Sequence, residues 1–428
     1  MSWLASAQKT HTRRWAARFM MAVSTAILTT FVVDRMLGTF GFPPEIPEVV
    51  SHPSQMQQQR DQLEFRYLFQ TNDFGLRDRN IPLMKAAGRR RVFVAGDSFT
   101  EGDGVESSER FTELLQVSFQ DDGKDIDFIN GGLSGAGPLE YGNLFVKVGL
   151  LFQPDALLIC FFVNDVSNTA EQLFRTPFML DPPRARSKPR RILHRLWPRI
   201  NTQVELLQSD AEQSKRTQTD DFLGSIAAVA RARGVNEGAI QEWILSVPSE
   251  LGAAVNEGRF NGAVLSQGLL NPSYWTDSLD INTPSAKRRW TTVCRILSEL
   301  VHRCRHSGVE VAIVLLPTQF QYDPESHTDQ NPWVVTGCHI RREWLIQETE
   351  IQKQLAEWAT SGGVPILDLT ETFRDAARNS VRLHWSFDGH WNAFGQQTAA
   401  RAIDLWLRTN EVFKTITAPR KSAPNMAP

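Results

Sequence analysis

The sequence predicts an α/β protein whose core is a parallel β-sheet covered by helices on both faces, a three-layer α/β/α sandwich. Residues 90–97, 126–133 and 155–165 are rich in apolar residues and have the composition of buried strands. Segments with helical spacing, residues 109–120 and 138–152, separate them. Apolar strands that alternate with helices of about ten to fifteen residues are typical of parallel sheets.

The same pattern resumes in the C-terminal third of the chain. It predicts strands over 309–317 and 364–370, and helices over 285–306, 342–360 and 392–407. The two parts of the chain therefore contribute to one sheet, and the segment between them is an insertion.

The insertion covers residues 166–284, where the alternation of strands and helices breaks off. Helical spacing over 220–233 and 237–246 predicts a mainly helical cap. Within it, residues 181–200 are strongly basic. We interpret this basic stretch either as a solvated surface or as a cationic face for anionic lipid or an acidic polysaccharide.

These patterns divide the chain into six parts. They are a cytosolic stub with a membrane anchor (1–41), a spacer with an N-terminal extension (42–87), the first part of the sandwich (88–165), the inserted cap (166–284), the second part of the sandwich (285–410) and a loose tail (411–428). The spacer opens with a stretch rich in Pro and Gln, residues 42–60, which favours an extended linker.

The composition narrows the class of protein. The 428 residues are 41% hydrophobic and 22% charged, which is the balance of a folded globular protein. A net charge of -2 gives no overall attraction to nucleic acid, so no nucleic-acid partner is expected. The four cysteines form no CxxC pair and no metal-ligand spacing is present, so neither a metal nor an organic cofactor is expected.

The N-terminus carries a basic segment followed by an apolar one. Arg13, Arg14 and Arg18 precede the uncharged residues 19–33. This pattern predicts a single transmembrane signal anchor, with a cleaved signal peptide or a helix in a soluble core as alternatives. Because the basic residues precede the span, the positive-inside rule places the remainder of the chain in the periplasm or outside the cell.

Ser98 follows the first predicted strand of the sandwich, in the stretch RVFVAGDSFTEGDGV (91–105). In α/β sheets of this kind, ligands bind beyond the carboxyl ends of the strands, so Ser98 is placed where a nucleophile would lie. A serine at such a position also serves as a turn or cap residue, and this stretch alone does not separate the two roles.

The next two predicted strands end in groups that donate hydrogen bonds. The loop INGGLSGAG (129–137) is rich in glycine and brings backbone N–H groups close to a ligand. Asn164, in FFVND (161–165), lies at the end of the next apolar strand. A nucleophile with two or three donors around a developing oxyanion is the set that acyl transfer requires.

A candidate base lies near the C-terminus. Asp388 and His390 precede the last predicted helix, which Asn392 is positioned to cap. His390 has the chemistry to remove the proton of Ser98, and Asp388 to orient its imidazole and stabilise the imidazolium. A histidine that only satisfies a core contact is the alternative interpretation.

Together these segments resemble the SGNH hydrolase superfamily, also called GDSL-like esterases. The matching blocks are Gly96-Asp97-Ser98, Asn130 through Gly135, Asn164-Asp165 and Asp388-Gly389-His390. The resemblance implies a flavodoxin-like α/β/α fold, with Ser98 as nucleophile and His390 as base. It also implies an oxyanion hole made by the N–H groups of Ser98 and Gly135 and the amide of Asn164.

Two features depart from the family pattern. Phe162 stands where the third block usually has glycine, which predicts a narrower pocket or a shifted strand end. Asp388 and His390 are two residues apart instead of three. In an extended segment this spacing puts both side chains on one side, whereas in a turn the two side chains need not meet. The stretch TNDFGLRD (71–78) resembles membrane-anchored bacterial members of the family, and the sequence assigns it no role.

The predicted function is a membrane-anchored serine esterase that acts on acyl esters, mainly acetyl esters, with an acetylated polysaccharide as one substrate. A polysaccharide O-acetyltransferase with the same triad is the first alternative, because both activities share the acyl-enzyme. A non-catalytic envelope scaffold or glycan-binding module is the second.

Overall fold

A computed structural model describes most of the chain as two compact units. One unit contains residues 1–49 and 180–219, and the other contains residues 50–179 and 220–428. The described residues are 2–37, 51–169, 197, 200, 221–328, 331–379 and 381–409. Most of the basic stretch 181–200 and the predicted tail 411–428 lie outside them.

The first unit contains the helix Ser2–Leu37. Its segment Arg18–Met36 is long and apolar enough to cross a membrane, and a signal sequence would have the same properties. The described side chains of this segment are exposed apart from Asp34, which accepts a hydrogen bond from the backbone N–H of Ile200 at 2.9 Å. The predicted apolar helix is therefore present.

The core of the second unit is a five-stranded, fully parallel sheet, as predicted. Its strands are β3 (Arg90–Gly96), β4 (Ile126–Gly132), β5 (Ala156–Phe162), β6 (Glu310–Leu316) and β7 (Ile366–Asp368). They lie in the order β4-β3-β5-β6-β7. From β3 the chain first adds β4 on one side and then adds β5, β6 and β7 on the other side. The position between β3 and β5, where the order of strands reverses, is the switch point at which α/β sheets bind ligands.

Helices cover both faces of the sheet and complete the predicted sandwich. One face carries the helices Pro138–Lys147, Pro284–His306 and Glu350–Gly362. The other carries Phe111–Asp121, Thr370–Arg378 and Ala393–Thr409. Nearly every residue of β3, β4 and β5 is buried between these layers, which explains their continuous apolar runs.

The predicted helix over 342–360 is wrong in its first half. Residues Arg342–Leu345 form a short 3-10 turn, and the helix begins only at Glu350. Thr349 and Gln352 form a capping box at that point, which satisfies the first N–H groups of the helix and sets its start. The predicted strand 364–370 is also shorter, because the helix Thr370–Arg378 begins at its end.

The insertion is helical where it is described, as predicted. Its helices are Phe222–Ala232, Glu237–Ser246, Ser249–Asn256, Gly262–Leu270 and Tyr274–Asp280. They pack around the buried side chains of Ile240, Trp243, Leu251 and Leu265.

The predicted spacer 42–60 ends in a strand. β1 (Gln57–Asp61) and β2 (Arg66–Gln70) form an antiparallel hairpin, whereas residues 42–50 lie outside the described part. The guanidinium of Arg60 lies over the ring of Phe69 at 3.7 Å from its centre, and this cation–π contact stabilises the pairing. The sequence of β1 lacks apolar alternation, so periodicity does not reveal it.

Candidate active site

Ser98 lies directly beyond the carboxyl end of β3, where the sequence places it. It is the first residue of the short helix Ser98–Glu101, and its exposed fraction is 8%. The carboxylate of Asp97 accepts a hydrogen bond from the N–H of Phe99 at 3.0 Å and caps this helix. At Gly96, a Cβ atom would come within 2.2 Å of Thr100 Oγ1, so only glycine lets the helix fold back onto the strand.

The stretch TNDFGLRD, which the sequence left without a role, supports the segment after Ser98. Arg77 is fully buried and donates hydrogen bonds to the carbonyl oxygens of Glu101 at 3.1 Å and Val105 at 2.7 Å. Burial lowers the pKa of Arg77 to about 10. The guanidinium satisfies carbonyl groups that would otherwise be buried without donors, and so holds the turn in place.

Asn130 joins β4 to the Ser98 helix. Its side-chain nitrogen donates to the carbonyl oxygen of Thr100 at 2.8 Å, and its side-chain oxygen accepts from the N–H of Gly132 at 2.8 Å. The first residue of the predicted glycine-rich block therefore contributes to the geometry around the serine.

His390 and Asp388 meet Ser98 although they lie nearly three hundred positions later in the chain. His390 Nε2 is 2.7 Å from Ser98 Oγ, and His390 Nδ1 forms a short hydrogen bond to Asp388 Oδ1. The same Asp388 oxygen also accepts the backbone N–H of His390 at 3.2 Å. With the proton on Nδ1 donated to Asp388, Nε2 is free to accept the proton of Ser98.

Gly389 explains why a spacing of two residues works here. Its φ is +84°, in the left-handed region that favours glycine. The turn folds the imidazole of His390 back over the carboxylate of Asp388. The loop is closed by backbone hydrogen bonds from Trp385 N–H to the His390 carbonyl at 2.9 Å and from Gly389 N–H to the Trp385 carbonyl at 3.0 Å.

Asn392 caps the last helix, as predicted. Its side-chain oxygen accepts the N–H groups of Phe394 at 3.0 Å and Gly395 at 3.1 Å. The helix Ala393–Thr409 therefore starts immediately after the loop that carries His390.

The electrostatics of the site favour a protonated imidazole. Burial alone would lower the pKa of His390, but the charge of Asp388 and the hydrogen bond to it act in the opposite direction and outweigh burial. The more distant carboxylates of Asp103 and Asp97 add to this effect, and the pKa of His390 rises to about 9. The surroundings are thus built to stabilise the imidazolium that forms when a proton leaves Ser98.

A small pocket opens over these residues. Its cavity measures about 100 Å³, and Ser98, Asn164, Asp388 and His390 all line it. The remaining lining residues are Phe99, Phe162, Val264, Gln267, Tyr274, Trp275, Thr318, Gln319, Phe320, Asn331, Val334, Phe387 and Gly389. The pocket is far smaller than the roughly 300–1,000 Å³ of ligand sites for drug-sized molecules.

Phe162 lines this pocket and does not shift the strand end. β5 keeps its register with β6 up to the pair Phe162–Leu316. The centre of the Phe162 ring lies 4.1 Å from that of Phe99 and 6.3 Å from that of Trp275. Of the two outcomes predicted for this departure from the family pattern, a shifted strand end is not what the structure shows, and a narrower pocket stays a prediction.

The three predicted oxyanion donors are not equally placed. Ser98 and Asn164 both line the pocket, and the side-chain oxygen of Asn164 is buried without a hydrogen-bond partner in the described part of the chain. Gly135 lies in the exposed loop after β4 with φ +76° and is not among the lining residues. A Cβ at Gly135 would meet no atom within 4 Å, so open space lies beside it.

The insertion supplies residues that the sequence did not point to. Tyr274 and Trp275 begin the helix Tyr274–Asp280 and line the pocket beside Asn164. The Tyr274 hydroxyl donates to Asn168 Oδ1 at 3.0 Å. Burial raises the pKa of Tyr274, and its hydrogen bond with Asn164 opposes part of this rise. Aromatic residues in a helical segment are normally core residues, so no sequence signal marked them.

Within the described ranges, no group of three or more His, Cys, Asp or Glu side chains is arranged to hold a metal ion. The arrangement that is present consists of a hydroxyl, an imidazole and a carboxylate in line, with an amide facing the same pocket. Such a set can form and break an ester with the serine oxygen.

One part of the chain matches a known protein family. Residues 92–258 match the family model of the GDSL-like lipase/acylhydrolases. No curated protein matches the chain. Similar solved structures include a lipase/acylhydrolase from Enterococcus faecalis, with 11% identity, a TM-score of 0.32, and coverage of 74% of this chain and 95% of that one.

Two further similar structures are esterases. A psychrotrophic esterase from Pseudoalteromonas sp. has 12% identity and a TM-score of 0.32, with coverage of 74% of this chain and 99% of that one. An acetylxylan esterase from Geobacillus stearothermophilus has 10% identity and a TM-score of 0.33, with coverage of 75% and 94%.

Proposed function

We propose that this chain releases short acyl groups, chiefly acetyl, through an acyl-serine at Ser98. The chain belongs to the SGNH hydrolase superfamily of GDSL-like enzymes and is a hydrolase of ester bonds. The observation that carries the proposal is the continuous line of hydrogen bonds from Ser98 Oγ through His390 to Asp388. It lies in a pocket beyond the carboxyl ends of β3 and β5, at the switch point of the sheet.

In the first half-reaction, Ser98 Oγ attacks the carbonyl carbon of the ester while its proton passes to His390 Nε2. The carbonyl oxygen becomes an oxyanion, which accepts hydrogen bonds from the Asn164 amide and from the N–H group of Ser98, the two predicted donors that line the pocket. The bond to the alcohol oxygen then breaks. His390 returns its proton to that oxygen, so that a neutral alcohol leaves and the acyl group stays on Ser98.

In the second half-reaction, a water molecule takes the place of the alcohol. His390 removes one proton from it, and the hydroxide attacks the acyl carbon. The bond between that carbon and Ser98 Oγ breaks, Ser98 regains its proton from His390, and a carboxylic acid leaves. Asp388 holds the imidazole in the required tautomer throughout and stabilises its charged form.

The size of the pocket supports a short acyl group. Phe99, Phe162, Trp275 and Phe320 form an aromatic wall around a cavity of about 100 Å³. A long hydrocarbon chain would have to displace these packed rings, which costs free energy.

The polar groups of the pocket support a sugar alcohol as leaving group. Gln267, Gln319 and Tyr274 line it together with the aromatic wall. Amides and a hydroxyl are suited to hydrogen bonds with the neighbouring hydroxyl groups of a glycan, and a fatty alcohol would leave them unpaired. We therefore propose an acetylated polysaccharide as substrate.

The N-terminal helix supports a location at a membrane. The apolar segment Arg18–Met36 follows the basic residues Arg13 and Arg14. We propose that it anchors the chain as a single span, with the catalytic unit in the periplasm or outside the cell. A reporter fused after residue 60 should then be active only outside the cytosol, and activity inside it would contradict this topology.

The hydrolase proposal is tested with the full chain in detergent and a set of p-nitrophenyl esters, together with acetylated xylan oligosaccharides. We expect release of acetate from both kinds of substrate, and loss of both activities in Ser98→Ala. Mass gain of an added oligosaccharide in place of free acetate would favour the O-acetyltransferase, and no reaction with any ester would contradict the proposal.

A further inference from the structure

The hairpin formed by β1 and β2 contacts both sides of the candidate active site. It lies well before Ser98 in the chain, and neither its sequence nor the family blocks assign it a part in catalysis. Its turn, residues 62–65, is closed by a hydrogen bond from Gln62 N–H to the Phe65 carbonyl at 2.8 Å. The N–H of Leu63 donates to the Arg259 carbonyl at 2.8 Å, so the turn is also fixed to the inserted cap.

The turn of the hairpin holds the loop that carries the acid and the base. Glu64 Oε2 accepts the backbone N–H of Phe387 at 2.8 Å and that of Asp388 at 2.9 Å. The ring of Phe65 lies 5.4 Å from that of Trp385, at the start of the same loop. Burial raises the pKa of Glu64, and the backbone N–H groups of Asp388 and Phe387 oppose this rise by stabilising the carboxylate.

The strands of the hairpin hold the segment that follows the nucleophile. Asp103 Oδ1 accepts hydrogen bonds from Arg60 Nη1 and Tyr67 Oη, each at 2.8 Å. The backbone N–H of Asp103 donates to the carbonyl of Ser98 at 3.0 Å. The hairpin is therefore connected to Ser98 on one side and to Asp388 on the other.

The contact of Glu64 matters because Asp388 has a short side chain. Its carboxylate position follows from the position of its backbone, and the backbone lies in a loop without a sheet partner. A carboxylate that accepts two consecutive N–H groups restrains both peptide planes and therefore the direction of the Asp388 side chain. Without it, the two N–H groups would turn to water, and the bond between Asp388 and His390 would lose its fixed geometry.

We propose that Glu64 is a positioning residue of the esterase: it fixes the backbone of Asp388, so that Asp388 Oδ1 meets His390 Nδ1 while Nε2 faces Ser98. This inference rests on the proposed function of the same site. It adds a residue from outside the family blocks and gives the N-terminal hairpin a role in the rate of the reaction.

The test compares Glu64→Ala with Glu64→Gln in the full chain, and uses Asp61→Ala as a matched control. Asp61 is an exposed carboxylate of the same hairpin that pairs with Arg66 and does not contact the loop. For Glu64→Ala we expect kcat with p-nitrophenyl acetate to fall about tenfold or more with KM within about twofold, because small misplacements of catalytic groups are costly. Glu64→Gln keeps an oxygen acceptor and should recover most of kcat, and Asp61→Ala should match the parent.

A second measurement does not depend on activity. The pKa of the His390 imidazole is followed by NMR of the chain labelled with ¹³C-histidine, with His390→Gln used to assign the signal. Because Asp388 raises the pKa of His390, a displaced Asp388 should lower that pKa in Glu64→Ala and leave it unchanged in Asp61→Ala. An inactive parent with this shift would contradict the proposed function and support the positioning role.

Several results would overturn the inference. They are an unchanged His390 pKa and kcat in Glu64→Ala, an equal loss in Asp61→Ala, or an equal loss in Glu64→Gln. If Glu64→Ala does not fold, Glu64→Asp provides the same test, because its carboxylate is one methylene shorter and cannot reach both N–H groups. We expect it to lower kcat and the His390 pKa, and parental values for both would overturn the inference.

Discussion

Ser98 and His390 share one hydrogen bond, but different kinds of structure hold them. Ser98 follows β3, which pairs with β4 from Arg90 to Gly96 and with β5 from Val92 to Gly96. His390 lies in the loop 385–390, which belongs to none of the described strands. Side chains from other parts of the chain fix the backbone of that loop. Glu64 accepts the N–H of Asp388, and the side-chain amide of Asn331 donates to the Ser386 carbonyl at 2.8 Å.

This difference predicts how the strand side of the site, with Ser98 and Asn164, and the loop side, with Asp388 and His390, respond to mutation. On the strand side, the sheet sets the position of each group, so a substitution removes a chemical group and leaves its neighbours in place. On the loop side, a few hydrogen bonds set the position, so a substitution also changes geometry and the pKa of the imidazole. Kinetics and pH dependence together should therefore separate the two sides.

The largest effect is expected on the strand side, at the nucleophile. Ser98→Ala should lower kcat/KM for p-nitrophenyl acetate by at least about 10³-fold, because Ser98 carries the hydroxyl that His390 Nε2 contacts, at 2.7 Å. Thermal unfolding should stay close to that of the parent, because the serine side chain is small and the sheet holds the segment. Equal rates in parent and variant would exclude Ser98 as nucleophile.

The next effect is expected on the loop side. Asp388→Asn should lower kcat/KM by about 10³-fold near neutral pH, because an amide does not hold the imidazole in the required tautomer or stabilise its charge. Since the base must be neutral, the parental rate should rise with pH through the His390 pKa of about 9. Without the charge of Asp388 this acid limb should move to lower pH, and a profile with an unchanged midpoint would contradict the pairing.

A smaller loss is expected for the amide donor at the end of β5. Asn164→Ala should reduce kcat by about 10²-fold, the effect of removing one oxyanion donor, with little change in KM. Its pH profile should match that of the parent, because Asn164 does not contact His390. A shifted profile would mean that the two sides of the site are not independent.

The smallest effect concerns acyl selectivity. Phe162→Ala should enlarge the cavity and raise the ratio of kcat/KM for p-nitrophenyl butyrate over acetate by about tenfold, consistent with the gain from accommodating two additional methylene groups. Leu316→Ala, at the paired position of β6, serves as a control for the loss of a buried side chain. An equal change of the ratio in both variants would contradict the role of Phe162 as the wall of the acyl pocket.

The sequence predicts the strand side better than the loop side, for a physical reason. Apolar strands are recognised by their composition, and the carboxyl ends of parallel strands share an edge of the sheet, so the sequence predicts that Ser98 and Asn164 lie near each other. Both residues line one pocket. For Asp388 and His390, only the structure decides whether a two-residue spacing can work, because the answer depends on the left-handed turn at Gly389.

The parts that escaped prediction depend on long-range contacts. β1 has the sequence QQQRD, which is polar throughout. It is stabilised as a strand by the hydrogen bond from Arg60 to Asp103 and by the cation–π contact of Arg60 with the ring of Phe69. Glu64 and Arg77 act through backbone groups distant in the chain, and no local pattern encodes such partners. Trp275 likewise joins the pocket only through the packing of the insertion.

The central claim, that His390 activates Ser98 as a nucleophile, is tested most directly by covalent labelling. The full chain is treated with a fluorophosphonate, and the adduct is located by peptide mass spectrometry in the parent, Ser98→Ala and His390→Ala. We predict one adduct, on Ser98, that is absent in Ser98→Ala and forms at least about 10²-fold more slowly in His390→Ala. An adduct on another residue, or equal labelling rates in parent and His390→Ala, would contradict the account.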